Sequence, residues 1–259
     1  MAELSAVGAL VRRADPDRFL TALFAPPDRR EALLTLYAFN NELARARAST
    51  SQPMLAMIRL QWWREVVEGT AKSHEVATPL TDLLERGVLD RAETLALIDA
   101  RDVEMDGIET LAGWRDYVMA GAGGLAMAAG RVLGMPGQAR LRTLGAAYGV
   151  AGMLRSVPAL ARAGRCLLPG DVLAAHDLSP EAVVAAPGAP VVAAVLAELA
   201  DEGQRLLADA GRGRVPASWR AAALPTVLAR RDLRRPGQAG PRGLGDRLAV
   251  LGSALHGWI

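Results

Sequence analysis

Leu154-Arg155-Ser156-Val157-Pro158-Ala159-Leu160-Ala161-Arg162-Ala163-Gly164-Arg165-Cys166-Leu167-Leu168-Pro169 is the stretch that decides how the chain is read. Its apolar spacing continues a pattern that begins near residue 137 and predicts a helix over 137–162. Pro158 lacks a backbone donor, so a bend is expected there. Gly164 then opens a loop that runs to Pro180, where Ser179-Pro180 starts the next helix. Working outward, the helical period recurs almost throughout. Residues 28–48 repeat apolar side chains at three and four (Leu33, Leu36, Tyr37, Leu43), and 53–68 follow with Ser51 as cap and Gly69 as exit. Asp90 with Glu93 reads as a capping box for 91–106, which Gly107 ends. Residues 111–133 contain Gly121, Gly123, Gly124 and Gly130. Each weakens an isolated helix by about 1 kcal/mol relative to Ala, so close packing has to offset that. Further helices are expected over 190–210, 216–231 and 244–257, with a flexible turn or linker at 234–243. Neither an alternating strand pattern nor an internal repeat is present. The expected fold is all-α, a single-domain helical bundle. Residues 1–14 read as an N-terminal extension and 15–235 as the helical domain. Residues 236–259 read as a linker and a C-terminal helix packing on the same domain.

A chain of 259 residues, 51% of them hydrophobic and 22% charged, can bury a large core and is not disordered. A formal net charge of +2 without any Lys/Arg block excludes nucleic acid as the natural partner. Lys72 is the sole lysine, so arginine carries nearly all the positive charge. Cys166 is the sole cysteine and can form neither an internal disulfide nor a thiolate metal site by itself. Met1 to Val11 lacks the basic start and apolar core of a secretory signal. The longest apolar stretch, 182–200, is interrupted by Pro187, Gly188 and Pro190 and is not a membrane span. The location expected from these features is cytoplasmic, with peripheral contact at the inner face of the cell membrane left open.

Two groups of residues carry candidate chemistry. Asp102 and Asp106 stand four apart on the expected 91–106 helix, with Asp99 one turn earlier, a spacing that suits a divalent metal. The competing reading is a solvated salt-bridge strip. Arg45, Arg47, Arg155, Arg162 and Arg165 form the second group, which would bind an anionic head group if they converge, because guanidinium matches phosphate. The competing reading is helix-surface ion pairs. His74, His176 and His256 show no ligand spacing. Trp62 and Trp63 lie about 100° apart on a helix, so one should pack inside and the other nearer the surface. Cys166 reads as a packing residue rather than a nucleophile.

Three segments, in this order and spacing, carry a likeness to known proteins. They are Leu36-Tyr37-Ala38-Phe39-Asn40-Asn41-Glu42-Leu43-Ala44-Arg45-Ala46-Arg47; Ile58-Arg59-Leu60-Gln61-Trp62-Trp63-Arg64 with the later Leu97-Ile98-Asp99-Ala100-Arg101; and the opening stretch. Over roughly residues 15–235 the chain resembles the squalene/phytoene synthase family. The resemblance implies a helical bundle with a central cavity for isoprenoid diphosphates, where two aspartate-bearing motifs hold magnesium. Here the first motif aligns with Ala44, Arg45 and Ala48, and the second with Ser156, Ala159 and Leu160. No carboxylate stands at these positions. Gly149 and Gly152 replace the family's Gln and Asn just before the second motif. Arg45 and Arg47 would set positive charge where the metal belongs, a repulsion of roughly 4 kcal/mol per unit-charge pair at 4 Å and intermediate dielectric. Glu42, beside the vacated first motif, reads as a structural hydrogen-bonding group.

One branch is similar more closely, through Ala38-Phe39-Asn40-Asn41-Glu42-Leu43-Ala44, Ser49 to Pro53 and the Arg-Leu-Gln-Trp-Trp run. That non-catalytic subgroup includes the mitochondrial assembly factor for respiratory complex I. The resemblance therefore implies an inactive homologue without metal cofactor, whose partner is a complex I subunit or assembly factor and whose cavity could hold an isoprenoid or lipid. Two alternatives stand beside it. One is an active prenyltransferase using Mg²⁺ held by Asp99, Asp102 and Asp106. The other is an isoprenoid- or lipid-binding protein with no complex I role.

Overall fold

The computed structural model describes residues 4–50 and 52–259. Among these residues every regular element is helical. The chain starts with α1 (Ala6–Ala14), α2 (Pro16–Ala22) and α3 (Pro27–Ala48). Residues 6–14, within the expected extension, form a helix because Ser5 caps it through the Gly8 amide (3.1 Å) and its apolar stripe is buried. Val7, Leu10 and Val11 join the core against α3. Next come α4 (Pro53–Glu68), α5 (Ala77–Glu85) and α6 (Arg91–Asp99). Ser51, the expected cap of α4, lies outside the described residues, and Gln52 occupies the N-cap position. Gly69 closes α4 with φ of 114°, a left-handed backbone that a side chain would strain.

Three expected elements take a different form. The helix over 91–106 stops at Asp99, and residues Asp102–Glu104 make a separate 3₁₀ turn. Asp90 accepts the Glu93 amide (2.9 Å), but the Glu93 carboxylate turns to Arg131 (2.8 Å) instead of closing a capping box. The stretch 111–133 divides into α7 (Leu111–Val118), a π-helical turn at Met119–Gly123 and α8 (Gly124–Val132). The extra residue in a π turn costs a poorer hydrogen-bond ladder, and glycine-rich sequence accommodates it. Gly145 and Gly149 on the following helix let α9 (Ala139–Arg162) approach that turn. A Cβ on Gly149 would sit 2.5 Å from the Ala122 Cβ. α9 runs on through Pro158 to Arg162.

The stretch expected to be loop, 164–180, contains a short helix, α10 (Gly170–Ala175). It forms because the Gly170 amide donates to the Ile108 carbonyl and the Asp171 amide to Glu109 (both 2.9 Å). Then follow α11 (Pro180–Ala185), α12 (Pro190–Asp209), α13 (Arg220–Ala223), α14 (Pro225–Asp232) and α15 (Leu244–His256). Pro225 divides the expected 216–231 helix by removing a backbone donor. α9 is the spine of the bundle: α12, α14, α8 and the π turn pack along it. Segment 233–243 is tied down by Arg242, whose guanidinium bridges Asp17 of α2 (2.7 Å) and Asp232 of α14 (2.6 Å). Among the described residues no helix is long and apolar enough to cross a membrane.

Candidate functional site

α3, α9 and the π turn splay around a cavity of about 370 Å³. Ala44 and Ala48 enter it from α3, and Gly149, Gly152, Ser156 and Leu160 from α9. Ala48 and Ser156 are exposed, so these positions lie at the mouth. The Ser156 hydroxyl does not face a ligand: it donates to the Gly152 carbonyl (2.7 Å). Val118, Ala122, Met153 and Leu167 supply apolar wall.

Charge lies further in. Arg101, Arg165 and Arg18 line the cavity against one carboxylate among its described lining residues, Glu104. Glu104 is buried and saturated. It accepts from Arg101 Nη1 (2.9 Å), Arg165 Nη2 (2.7 Å) and the Tyr117 hydroxyl (2.7 Å), while Arg101 Nη2 donates to Asn40 Oδ1 (2.9 Å). Burial alone would raise the Glu104 pKa. The charge of Arg101 and the hydrogen bonds from Arg101, Tyr117 and Arg165 outweigh it and hold the carboxyl below its ordinary value. Burial pushes the Tyr117 phenol up, so it stays protonated and donates. Arg18 packs over the Tyr148 ring (4.8 Å) and is fixed by Asp15 (2.7 Å). Burial works against its charge, and the adjacent Asp15 carboxylate more than restores it.

The structure redistributes the expected site residues. Arg165 reaches the cavity. Arg45, Arg47 and Arg155 do not. Arg45 pairs with Glu42 one turn earlier (2.9 Å) and lines a separate hollow with Trp62, Trp63 and His74. Arg47 donates to the Thr50 carbonyl (2.7 Å). Arg155 points to segment 238–240, donating to the Gln238 and Gly240 carbonyls (3.1 and 2.7 Å). Arg162 returns to the Pro158 carbonyl (3.2 Å). Of the two readings, convergence holds for Arg165 alone and local pairing for the other four, because successive helical positions turn by about 100° and only one side faces inward. Asp99 and Asp102 both bind Arg64 (2.9 and 2.7 Å) at the exposed surface, and Asp106 is exposed. They do not share a helix face, since α6 ends at Asp99.

Arg18 and Arg101 are the site residues that the sequence pattern did not single out, and Glu104 stood in it only as the residue between Asp102 and Asp106. Asp15-Pro16, a cap followed by proline at the first helical position, was the signal for α2 and hence for Arg18. Arg101 and Glu104, three apart, offered an ion-pair spacing. The cavity residues do not fit magnesium. Alanine and leucine are no ligands, Ser156 is engaged, and the three donors on Glu104 leave it little capacity for a cation. Among the described residues no group of three His, Cys, Asp or Glu comes together to hold a metal. The arrangement suits an anion with an apolar body: guanidiniums for the head, Val118, Met153 and Leu160 for the rest.

Residues 11–252 match the family described as squalene/phytoene synthase. The chain belongs to the squalene/phytoene synthase family. The fold agrees. A crystal structure of a dehydrosqualene synthase in complex with ligand superposes with a TM-score of 0.76 at 13% identity, covering 96% of this chain and 94% of that one. The squalene synthase HpnC from Alicyclobacillus acidocaldarius gives 0.63 at 19% identity, covering 97% and 92%. Curated relatives carry a different name. NADH dehydrogenase (ubiquinone) complex I, assembly factor 6, is 24% identical in Homo sapiens and 27% in Rattus norvegicus, over 66% of this chain and 54% of each relative. Its homolog in Drosophila melanogaster is 25% identical over 68% of this chain and 57% of that protein. The chain thus spans little more than half the length of the relatives it matches.

Proposed function

We propose that this family member assists assembly of respiratory complex I by binding rather than by prenyl transfer. On this reading it works peripherally at the inner face of an energy-coupling membrane. The observation that carries the proposal is that relatives from human to fly, matched over two thirds of this chain, are named as complex I assembly factors. The cavity supports the non-catalytic part. Both metal-motif positions lack carboxylates, and Glu104, the one carboxylate among the cavity's described lining residues, is shared by Arg101 and Arg165 and offsets only one of their two positive charges. The occupant this lining favours is a lipid or isoprenoid with an anionic head, held without a divalent ion. The partner would be a complex I subunit or another assembly factor.

The prenyltransferase alternative relied on Asp99, Asp102 and Asp106 for its metal, and their position against Arg64 and solvent removes that support. A deletion strain tests the proposal. Loss of assembled complex I on native gels, restored by the wild-type chain, is expected. Normal complex I in the deletion strain would overturn the assembly role. Mass spectrometry of organic extracts from the purified protein tests the occupant, and an anionic lipid or isoprenoid is expected.

A further inference from the structure

The charge of this chain is unevenly placed. Residues 210–259 hold nine arginines, no lysine and two carboxylates, Asp232 and Asp246, so the rest of the chain carries the acidic excess. Folding gathers these arginines around an apolar helix face. α15 turns Leu244, Leu248, Leu251 and Leu255 outward, one turn apart, with Trp258 just beyond. Their exposure ranges from 42% at Leu251 to 73% at Leu244. The opposite face, Val250 and Ala254, is the one buried against the bundle. Single exposed leucines are ordinary, whereas a continuous row of four ending in tryptophan marks a contact surface.

Arginines stand at both ends of this row. Its start borders a cavity of about 450 Å³ where Arg155, Arg231 and Arg242 pair with the lining carboxylates Asp232 and Asp246, while the lining Arg234 and Arg235 form no ion pair among the described residues. Arg234 also lines a neighbouring cavity of about 290 Å³ with Arg212 and Arg230, and no carboxylate is among that cavity's described lining residues. The Arg230 Nη2 there is buried without a partner. At the far end Trp258 bridges to Arg214 across an antiparallel pair, fixed by backbone hydrogen bonds Gly213–Ile259 and Val215–Gly257. Residues directly opposite in such a pair project to the same side, so an exposed tryptophan and an exposed arginine stand together. Arg214, Arg234, Arg235 and Arg247 are exposed and form no ion pair among the described residues.

We propose that this face docks the protein on an anionic lipid bilayer. The leucine row and Trp258 enter the boundary between headgroups and acyl chains, and the flanking guanidiniums bind lipid phosphates. A second copy of the chain fits less well, since a two-fold contact would bring the arginine clusters of both copies together. The proposal rests on the peripheral location given above and names the surface responsible.

The test is flotation of the purified protein with phosphatidylcholine vesicles, with and without phosphatidylglycerol. Binding only to the phosphatidylglycerol vesicles is expected, weakening with added salt. L248E/L251E and R234E/R235E should each lower the affinity by about tenfold or more. M57E/I58E, on the exposed start of α4, should leave it unchanged. The proposal is overturned by absence of binding to anionic vesicles, by equal binding to neutral ones, or by undiminished binding of either α15-face variant. It is also overturned if the wild type is a dimer that L248E/L251E dissociates, which would assign the row to a second copy. Vesicle binding reports on this face alone and the deletion strain on the assembly role, so either can fail without the other.

Discussion

Glu104→Gln is the substitution that interrogates the cavity most sharply. The two carboxylate oxygens divide three donors: Oε1 accepts from Arg101 and Tyr117, Oε2 from Arg165. A glutamine keeps the shape but has one acceptor. Whichever way the amide is turned, its NH₂ faces a guanidinium, Arg165 at a distance now 2.7 Å or Arg101 at one now 2.9 Å. Arg165 and Arg101, with side chains 9% and 17% exposed, then lose their counter-charge. Removing one partner of a buried pair costs about 3–5 kcal/mol, and the hydrogen bond from Arg101 to Asn40 places this case near 3 kcal/mol. For a chain of this size that corresponds to a melting temperature lower by roughly 6–12 °C. Urea unfolding at neutral pH, compared with the wild type, measures it.

The pH dependence has a definite sign. The Glu104 carboxyl is held below its ordinary 4.5, so its contribution is complete above that value and is lost as pH falls through the lower folded-state value. The gap between wild type and E104Q should therefore be widest near neutrality and close in acid below 4.5. A loss under about 1 kcal/mol, the size of an ordinary hydrogen bond, would refute the claim that Glu104 is the shared counter-charge of a buried arginine pair.

Other substitutions probe how the cavity is framed. Gly149→Leu would drive a side chain into Ala122 and should destabilise by about 1–3 kcal/mol, read by chemical denaturation. Arg242→Ala leaves Asp17, largely buried, without its guanidinium partner, while Asp232 keeps only the longer pair with Arg155 (3.5 Å). It should cost about 3 kcal/mol and open segment 233–243 to faster cleavage in limited proteolysis. Asp90→Ala removes the cap on the Glu93 amide and should lower stability by about 1 kcal/mol in a thermal melt.

The fold was legible because burial follows helical period. Leu33, Leu36, Tyr37 and Leu43 repeat at three and four and are all buried. Trp63 packs edge-on to Phe39 (5.2 Å) while Trp62 is partly exposed, as their angular separation requires. The missing metal carboxylates were legible too, because alanine and leucine cannot ligate in any fold. The positive residues of the site were not. Arg45 and Arg165 look alike as letters, and only the rotation of each helix decides that one meets Glu42 and the other Glu104. The carboxylates misled for a similar reason. Continuing α6 past Asp99 puts Asp102 and Asp106 on one face, whereas the break at Ala100 sends Asp102 outward to Arg64 and Glu104 inward. Just past this break Arg101 reaches Asn40 on α3 (2.9 Å), a tertiary contact that the sequence pattern does not display.

The central claim is that this cavity holds an anionic, apolar-bodied ligand by guanidinium and not through magnesium. The most direct measurement is incubation of the purified protein with farnesyl diphosphate, with and without Mg²⁺, following both bound ligand and product and including an active family member as control. The account expects no product, binding that does not require Mg²⁺, and weaker binding in Arg101→Gln and Arg165→Gln. Turnover that depends on Mg²⁺ and vanishes in Glu104→Gln or Asp102→Asn would contradict it.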